Sequence, residues 1–146
     1  QLRDPVLPFR VINVSSLAAF YPMPVKATYA ASKRFLLDFS LALREELRSA
    51  GASITVLCPA GMPTTQMNMD AIEAQGWMGY LTTRDAGKVA AITIDAALAG
   101  KPVVIPGAIN QFLRIAGSFL PATWIATLVG NRWRTAQEKR MKLTVS

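Results

Sequence analysis

Two runs suited to buried strands, residues 10–16 (RVINVSS) and 53–58 (SITVLC), bracket one long stretch of helical periodicity. No other feature limits the possible folds as much. In the first run Val11, Ile12 and Val14 come with little polar alternation, the mark of burial on both faces of a parallel sheet. Pro22 and Pro24 then force a loop. From about residue 26 to residue 50, Ser32, Phe35, Leu36, Phe39, Leu43 and Leu47 recur at steps of three and four, which predicts an amphipathic helix with that stripe as its apolar face. Gly51 ends the helix as a C-terminal cap, and Pro59 closes the second strand. Strand, long crossover and strand favour a right-handed parallel pairing, so the fold class is α/β, part of a doubly wound parallel sheet.

The remainder is less regular. Residues 60–82 are rich in Met, Gly and Thr, with Trp77 and Tyr80 near the far end, and read as a mobile loop with one short helix. Thr83 is the expected N-cap of a helix that carries Ala86, Val89, Ala90, Ile94, Ala97 and Leu98 on one face up to Gly100. A short third strand is expected over 101–105. Two amphipathic helices follow, over about 108–120 and 122–133, split by Pro121. In the second, Thr123, Thr127 and Asn131 form a polar stripe opposite Trp124, Ile125, Leu128 and Val129. The expected organisation is a catalytic part over 1–107 and a helical extension with a basic tail over 108–146.

Composition removes several classes of chemistry. The chain contains no histidine, which excludes a Ser-His-Asp triad and a Cys-His pair and leaves few zinc sites. Acid–base work must run on Tyr, Lys, Asp, Glu or Ser. One cysteine, Cys58, excludes an internal disulfide and fits a reducing, cytoplasmic setting. The formal charge of +7 gathers near the end, in Arg132, Arg134, Lys139, Arg140 and Lys142. Apart from Trp133, aromatic residues do not interleave with these cations, so nucleic acid is not the expected partner. Residues 115–131 carry no charge, yet Gly117 and Pro121 break the run, which suits short helices on the domain or flat on a membrane surface better than a span.

Tyr29 and Lys33 stand four apart at the start of the long helix, on one face and one turn apart. A cation held beside a tyrosine favours the phenolate and brings it within range of proton exchange with a substrate oxygen. Ser16 falls at the carboxyl end of the first strand, where open α/β sheets place their ligands. A hydroxyl there can donate to a developing alkoxide. Each residue alone is as readily an ordinary helix-surface or turn residue.

Together they resemble a known family. VINVSS, Ser16 thirteen positions before Tyr29, and Tyr29-Ala30-Ala31-Ser32-Lys33 are similar to the Ser…YxxxK signature of short-chain dehydrogenases/reductases. CPAGMPTT follows where that family has a P-G-x-x-x-T segment; Pro59 and Thr64 match its ends, while Ala60 replaces the usual Gly and Gly61 comes one place later. The resemblance runs from about residue 10 to residue 107. It implies a Rossmann-like fold and an NAD(P)-dependent oxidoreductase that interconverts a carbonyl and an alcohol by hydride transfer. In that scheme Tyr29 is the general acid in reduction and base in oxidation. Lys33 lowers the Tyr29 pKa and binds the nicotinamide ribose, and Ser16 steadies the substrate oxygen. The same resemblance assigns cofactor contacts to Tyr29, Lys33, Pro59, Gly61, Met62 and Thr64, with the cofactor NAD or NADP and a lean to NADP.

The resemblance also implies a homo-oligomer through the 26–50 helix and a hydrophobic small-molecule substrate under a Met-rich lid containing Met62, Met67, Met69 and Met78. The family's glycine-rich turn and a proton-relay asparagine would precede residue 10. Their absence marks the chain as an expected fragment, inactive alone. The alternative is a catalytically incomplete module that serves dimerisation or peripheral membrane contact through 108–142.

Overall fold

The computed structural model describes residues 9–62, 69, 85–131 and 134. Strand β1 (Phe9–Val14) leads through a 3₁₀ turn (Leu17–Phe20) into helix α1 (Ala27–Glu46), and a second 3₁₀ turn (Arg48–Ala50) returns the chain to strand β2 (Ala52–Leu57). Helix α2 (Ala86–Leu98), the short strand β3 (Val103–Val104) and helix α3 (Ala108–Ser118) follow, and residues 122–131 are again helical. The strands run parallel in the order β1-β2-β3. Phe9 pairs with Ala52 and Val14 with Leu57, and Val56 and Leu57 pair with Val103 and Val104. The strand–helix–strand unit is therefore as the sequence predicts, with strand ends within two residues and α1 ending at Glu46, short of the expected residue 50, where the 3₁₀ turn takes over.

The helices cover the sheet from both sides. On one side Ala19 and Leu37 pack with Val56, Cys58 and Ile105; on the other Val89 and Ala96 pack with Leu57 and Val104. β2 lies between them, and residues Ile54 to Cys58 are all buried, as a central parallel strand requires. Arg44 joins the layers: its guanidinium donates to the carbonyls of Ile54 and Gly100, each at 2.7 Å. Gly51 has φ 71 and caps the 3₁₀ turn after α1, a left-handed position that glycine takes without the Cβ clash.

Three expectations fail, each for a packing reason. β1 is not buried on both faces: Ile12 is 40% and Val14 50% exposed. Among the described residues it lies at the side of the sheet, and α2 centres on β2, reaching β1 where the Arg10 guanidinium donates to Ala97 O at 2.7 Å. In α1 the stripe through Phe35 and Phe39 faces outward, and the core face is Ala30, Leu37 and Ser40. Ser40 is wholly buried because its Oγ donates to Leu36 O (2.6 Å) and accepts from Asn13 Nδ2 (2.8 Å), so a polar residue sits where hydrophobicity alone would seat a phenylalanine. α2 starts from Asp85, whose side chain accepts from Lys88 N at 2.9 Å, while Thr83 lies outside the described residues. Its buried face is Val89, Thr93, Ala96 and Ala97; Ile94 and Leu98 are exposed.

α3 docks on the 3₁₀ turn through a close approach. A Cβ on Gly117 would stand 2.5 Å from Cε1 of the Tyr21 ring. Asn110, fully buried, donates from Nδ2 to Pro106 O at 2.7 Å and sets the entry to this helix. Gly117→Ala is therefore expected to push α3 off Tyr21 and to cost about 1–3 kcal/mol, as overpacking does; an unchanged denaturant midpoint would show that the contact is slack. Cys58 gives a second test. Burial pushes its thiol up to about 11, only partly offset by contacts with the Ser15 hydroxyl, the Ser16 backbone and Arg114. Below about pH 9 both folded and unfolded thiols are protonated; above it only the unfolded one ionises until about pH 11. Stability is expected to fall across that window, and Cys58→Ala to flatten the fall. Parallel pH profiles for the two proteins would refute it.

Candidate active site

The carboxyl ends of β1 and β2 are stitched together before either chain turns away. Ser15 N donates to Leu57 O and Leu17 N to Pro59 O, both at 2.8 Å, so the loop holding Ser16 and the loop beginning at Pro59 leave the sheet side by side. Ser16 is extended (φ −162, ψ 157) and caps the 3₁₀ turn, its Oγ accepting from Ala18 N at 3.1 Å. With a lone pair engaged there, the Ser16 O–H proton is the hydroxyl's remaining donor.

Lys33 is fixed to the same strand end by two bonds. Its backbone carbonyl accepts from the buried Ser15 hydroxyl at 2.7 Å, and its Nζ donates to Val14 O at 3.1 Å. One turn earlier, Tyr29 shares this face of α1, and Lys33 Nζ lies 5.8 Å from the centroid of its ring. Tyr29 is 46% exposed, so its hydroxyl is open to a ligand. The structure thus brings Ser16, Tyr29 and Lys33 to one edge of the sheet, the edge where the strands end. Of the other expected site residues, Pro59 is buried in the stitch, Gly61 is exposed, and Met62 packs against the Leu57–Val89–Val104 cluster. Thr64, Met67 and Met78 lie outside the described residues; Met69 is 45% exposed.

Ser15 is the residue that the sequence reading overlooks. Its signal is register: Asn13 and Ser15 are two apart on the face toward α1, and both donate or connect to that helix. Val25, four residues before Tyr29, has φ 73, a left-handed value that costs a β-branched side chain about 1–3 kcal/mol and marks a locally strained entry to α1. Beside this entry lies an apolar groove of about 560 Å³, walled by Ala19, Tyr21, Met23, Ala31 and Ala126 among others. It meets α1 on the side of Ala27, Ala31 and Arg34 and includes neither Tyr29 nor Lys33. The Tyr21 hydroxyl is buried without a hydrogen-bond partner among the described residues, and that burial raises its pKa against the opposing charge of Arg114.

Comparison with known proteins fits this geometry. The chain is 36% identical over 66 residues to the probable oxidoreductase EphD of Mycobacterium tuberculosis, covering 45% of this chain and 11% of that protein. It is 44% identical over 54 residues to mouse (Mus musculus) 17-beta-hydroxysteroid dehydrogenase type 3, covering 37% of this chain and 18% of that protein. The chain therefore spans less than a quarter of the length of these curated relatives. Among solved structures, the Pseudomonas aeruginosa RhlG/NADP active-site complex superposes with a TM-score of 0.56 at 24% identity, over 73% of this chain and 47% of that one, which shows a shared fold. Residues 9–76 match the short chain dehydrogenase family model (adh_short). That segment holds β1, α1 and β2 with Ser16, Tyr29 and Lys33 at their common edge, and over it the chain is similar to the short-chain dehydrogenases.

Proposed function

We propose that this chain carries the proton-transfer site of an NAD(P)-dependent oxidoreductase that interconverts a carbonyl and an alcohol. The observation that carries the reading is the double attachment of Lys33 to the end of β1, which holds an ammonium 5.8 Å from the Tyr29 ring beside the Ser16 turn. The buried Ser15 hydroxyl holds the backbone at Lys33, and the strand-end carbonyl of Val14 holds its ammonium.

The residues present fit a nicotinamide cofactor by the chemistry of their donors. Lys33 uses one N–H on Val14 O and has two more for ribose hydroxyls. Tyr29 and Lys33 would hold the ribose side, and Pro59, Gly61 and Met62, with Thr64, the nicotinamide side. NADP is favoured over NAD, in line with the ligand named for the structural neighbour. When bound, such a cofactor supplies or accepts the hydride, which no side chain can do. In reduction the Tyr29 hydroxyl donates its proton to the substrate oxygen, and Lys33 holds positive charge beside the oxygen that is left. The Ser16 hydroxyl donates to the same substrate oxygen and fixes its orientation. In oxidation Tyr29 takes the proton instead. A hydrophobic small-molecule substrate is in line with the steroid named for one relative.

In the holoenzyme Tyr29→Phe is expected to lower kcat by at least about 10²-fold with little change in cofactor affinity, because only the transferred proton is lost. Lys33→Ala should weaken both. Ser15→Ala should lower kcat while Ser15→Thr restores it, since Ser15 acts by positioning Lys33. Near-normal turnover by Tyr29→Phe would remove the assignment.

Self-association through α1 is the second part of the proposal. Phe35 (69% exposed) and Phe39 (48%) stack on each other at 5.8 Å with 13° between planes, an apolar pair on a helix face left open among the described residues. The combined Phe35→Ser/Phe39→Ser protein is expected to sediment as a smaller species than the unaltered one; equal sedimentation would argue for another surface.

A further inference from the structure

The helices at the carboxyl end are apolar on the wrong side. α3 buries Asn110 and lays Gly117 against Tyr21, while Phe112 (69% exposed), Ile115 (52%) and Phe119 (82%) stand in solvent. These three recur at steps of three and four and so share one side of the helix. Beyond Pro121 the helical residues 122–131 bury Ile125 but expose Trp124 (65%) and Leu128 (64%), four apart again. Leu120 (46%) joins the two sets. A surface helix of a water-soluble domain normally turns such a stripe inward.

Charge decides what covers this face. Between Asp95 and Glu138 the sequence has no acidic residue, while Lys101, Arg114, Arg132 and Arg134 fall within that span and Lys139, Arg140 and Lys142 follow it. Arg134 is exposed, and its guanidinium donates to Asn131 Oδ1 at 2.7 Å, at the end of the helical residues that carry Trp124 and Leu128. A second copy seated on this face would bring cations against cations, with no acid from 96–137 to meet them. An anionic surface has no such penalty. Large aromatic and aliphatic residues beside a cluster of cations are what a helix needs to lie at the lipid boundary. Among the described residues no helix is long and apolar enough to cross a membrane, so contact would be in the plane of the interface.

We propose that the Phe112–Phe119–Trp124–Leu128 face docks the chain peripherally on an anionic lipid surface. This goes beyond the oxidoreductase reading and is tested without cofactor or turnover. The full chain is sedimented with vesicles of phosphatidylcholine containing phosphatidylglycerol, and with phosphatidylcholine alone, at about 50 and about 500 mM salt. The expected result is capture by the anionic vesicles at low salt, lost at high salt and weak on the neutral ones. Phe119→Ser/Trp124→Ser is expected to reduce capture roughly tenfold or more with an unchanged circular dichroism spectrum, since both side chains already face solvent. Arg132→Glu/Arg134→Glu should do the same through charge. No capture at low salt overturns the proposal, as does capture indifferent to salt and lipid charge. A dimer that Phe119→Ser/Trp124→Ser dissociates, with no vesicle binding, would assign the face to a second copy and overturn it equally.

Discussion

The tie between Lys33 and the end of β1 is the constraint on which the rest of the site depends. A side chain as flexible as lysine holds one place only if something removes its freedom, and freezing a long side chain costs about 1.5–2 kcal/mol. Here the backbone is clamped through Ser15 and the tip through Val14 O. Because Tyr29 is one turn away on the same helix, fixing Lys33 fixes Tyr29 as well. The helix is held in turn by Ser40, which meets Asn13 on the neighbouring strand residue of the same face. Three small polar residues, Asn13, Ser15 and Ser40, thus do at this boundary what larger apolar residues do deeper in the core.

This arrangement follows from the parallel sheet. Parallel strands bring their carboxyl ends to one edge, so loops leaving β1 and β2 are neighbours without further instruction. Ser15 N to Leu57 O and Leu17 N to Pro59 O extend the ladder past the strands and hold the Ser16 turn beside the Pro59 segment. Chemistry and cofactor contacts can then come from residues more than forty positions apart. The strained Val25 and the close Gly117–Tyr21 contact lie just behind this edge, where the entry to α1 and the start of the C-terminal helices share the 3₁₀ turn.

The surfaces left over are informative in the same way. α1 shows Phe35 and Phe39 to solvent, and α3 with residues 122–131 shows Phe112, Phe119, Trp124 and Leu128. The two patches differ in their surroundings. Arg34 and Asp38 pair with each other beside the first, at 2.7 Å, so charge there is balanced. The second stands in a stretch without acids. Balanced charge suits contact with another copy, and unbalanced positive charge suits an anionic surface.

Sequence alone determined the order of elements and the parallel crossover, because these rest on local periodicity and on turn residues such as Gly51 and Pro59; the Ser16, Tyr29 and Lys33 set it proposed from a motif with fixed spacing. The full burial of Ile54 to Cys58 was legible for the same reason: a central strand needs apolar residues on both faces, and the run shows them. Which side of each helix faces the sheet was not. A 3.6-residue period can support more than one stripe, and hydrophobicity ranks Phe35 and Phe39 above Ser40 and Ala30. Only the tertiary structure shows that Asn13 waits opposite Ser40, and that a small, hydrogen-bonded residue is the one that fits. Ser15 escaped notice because its bond to Lys33 O joins residues distant in sequence, as did the close packing of Gly117 on Tyr21. Local patterns record what a segment prefers; a partner brought from far along the chain decides which preference is used.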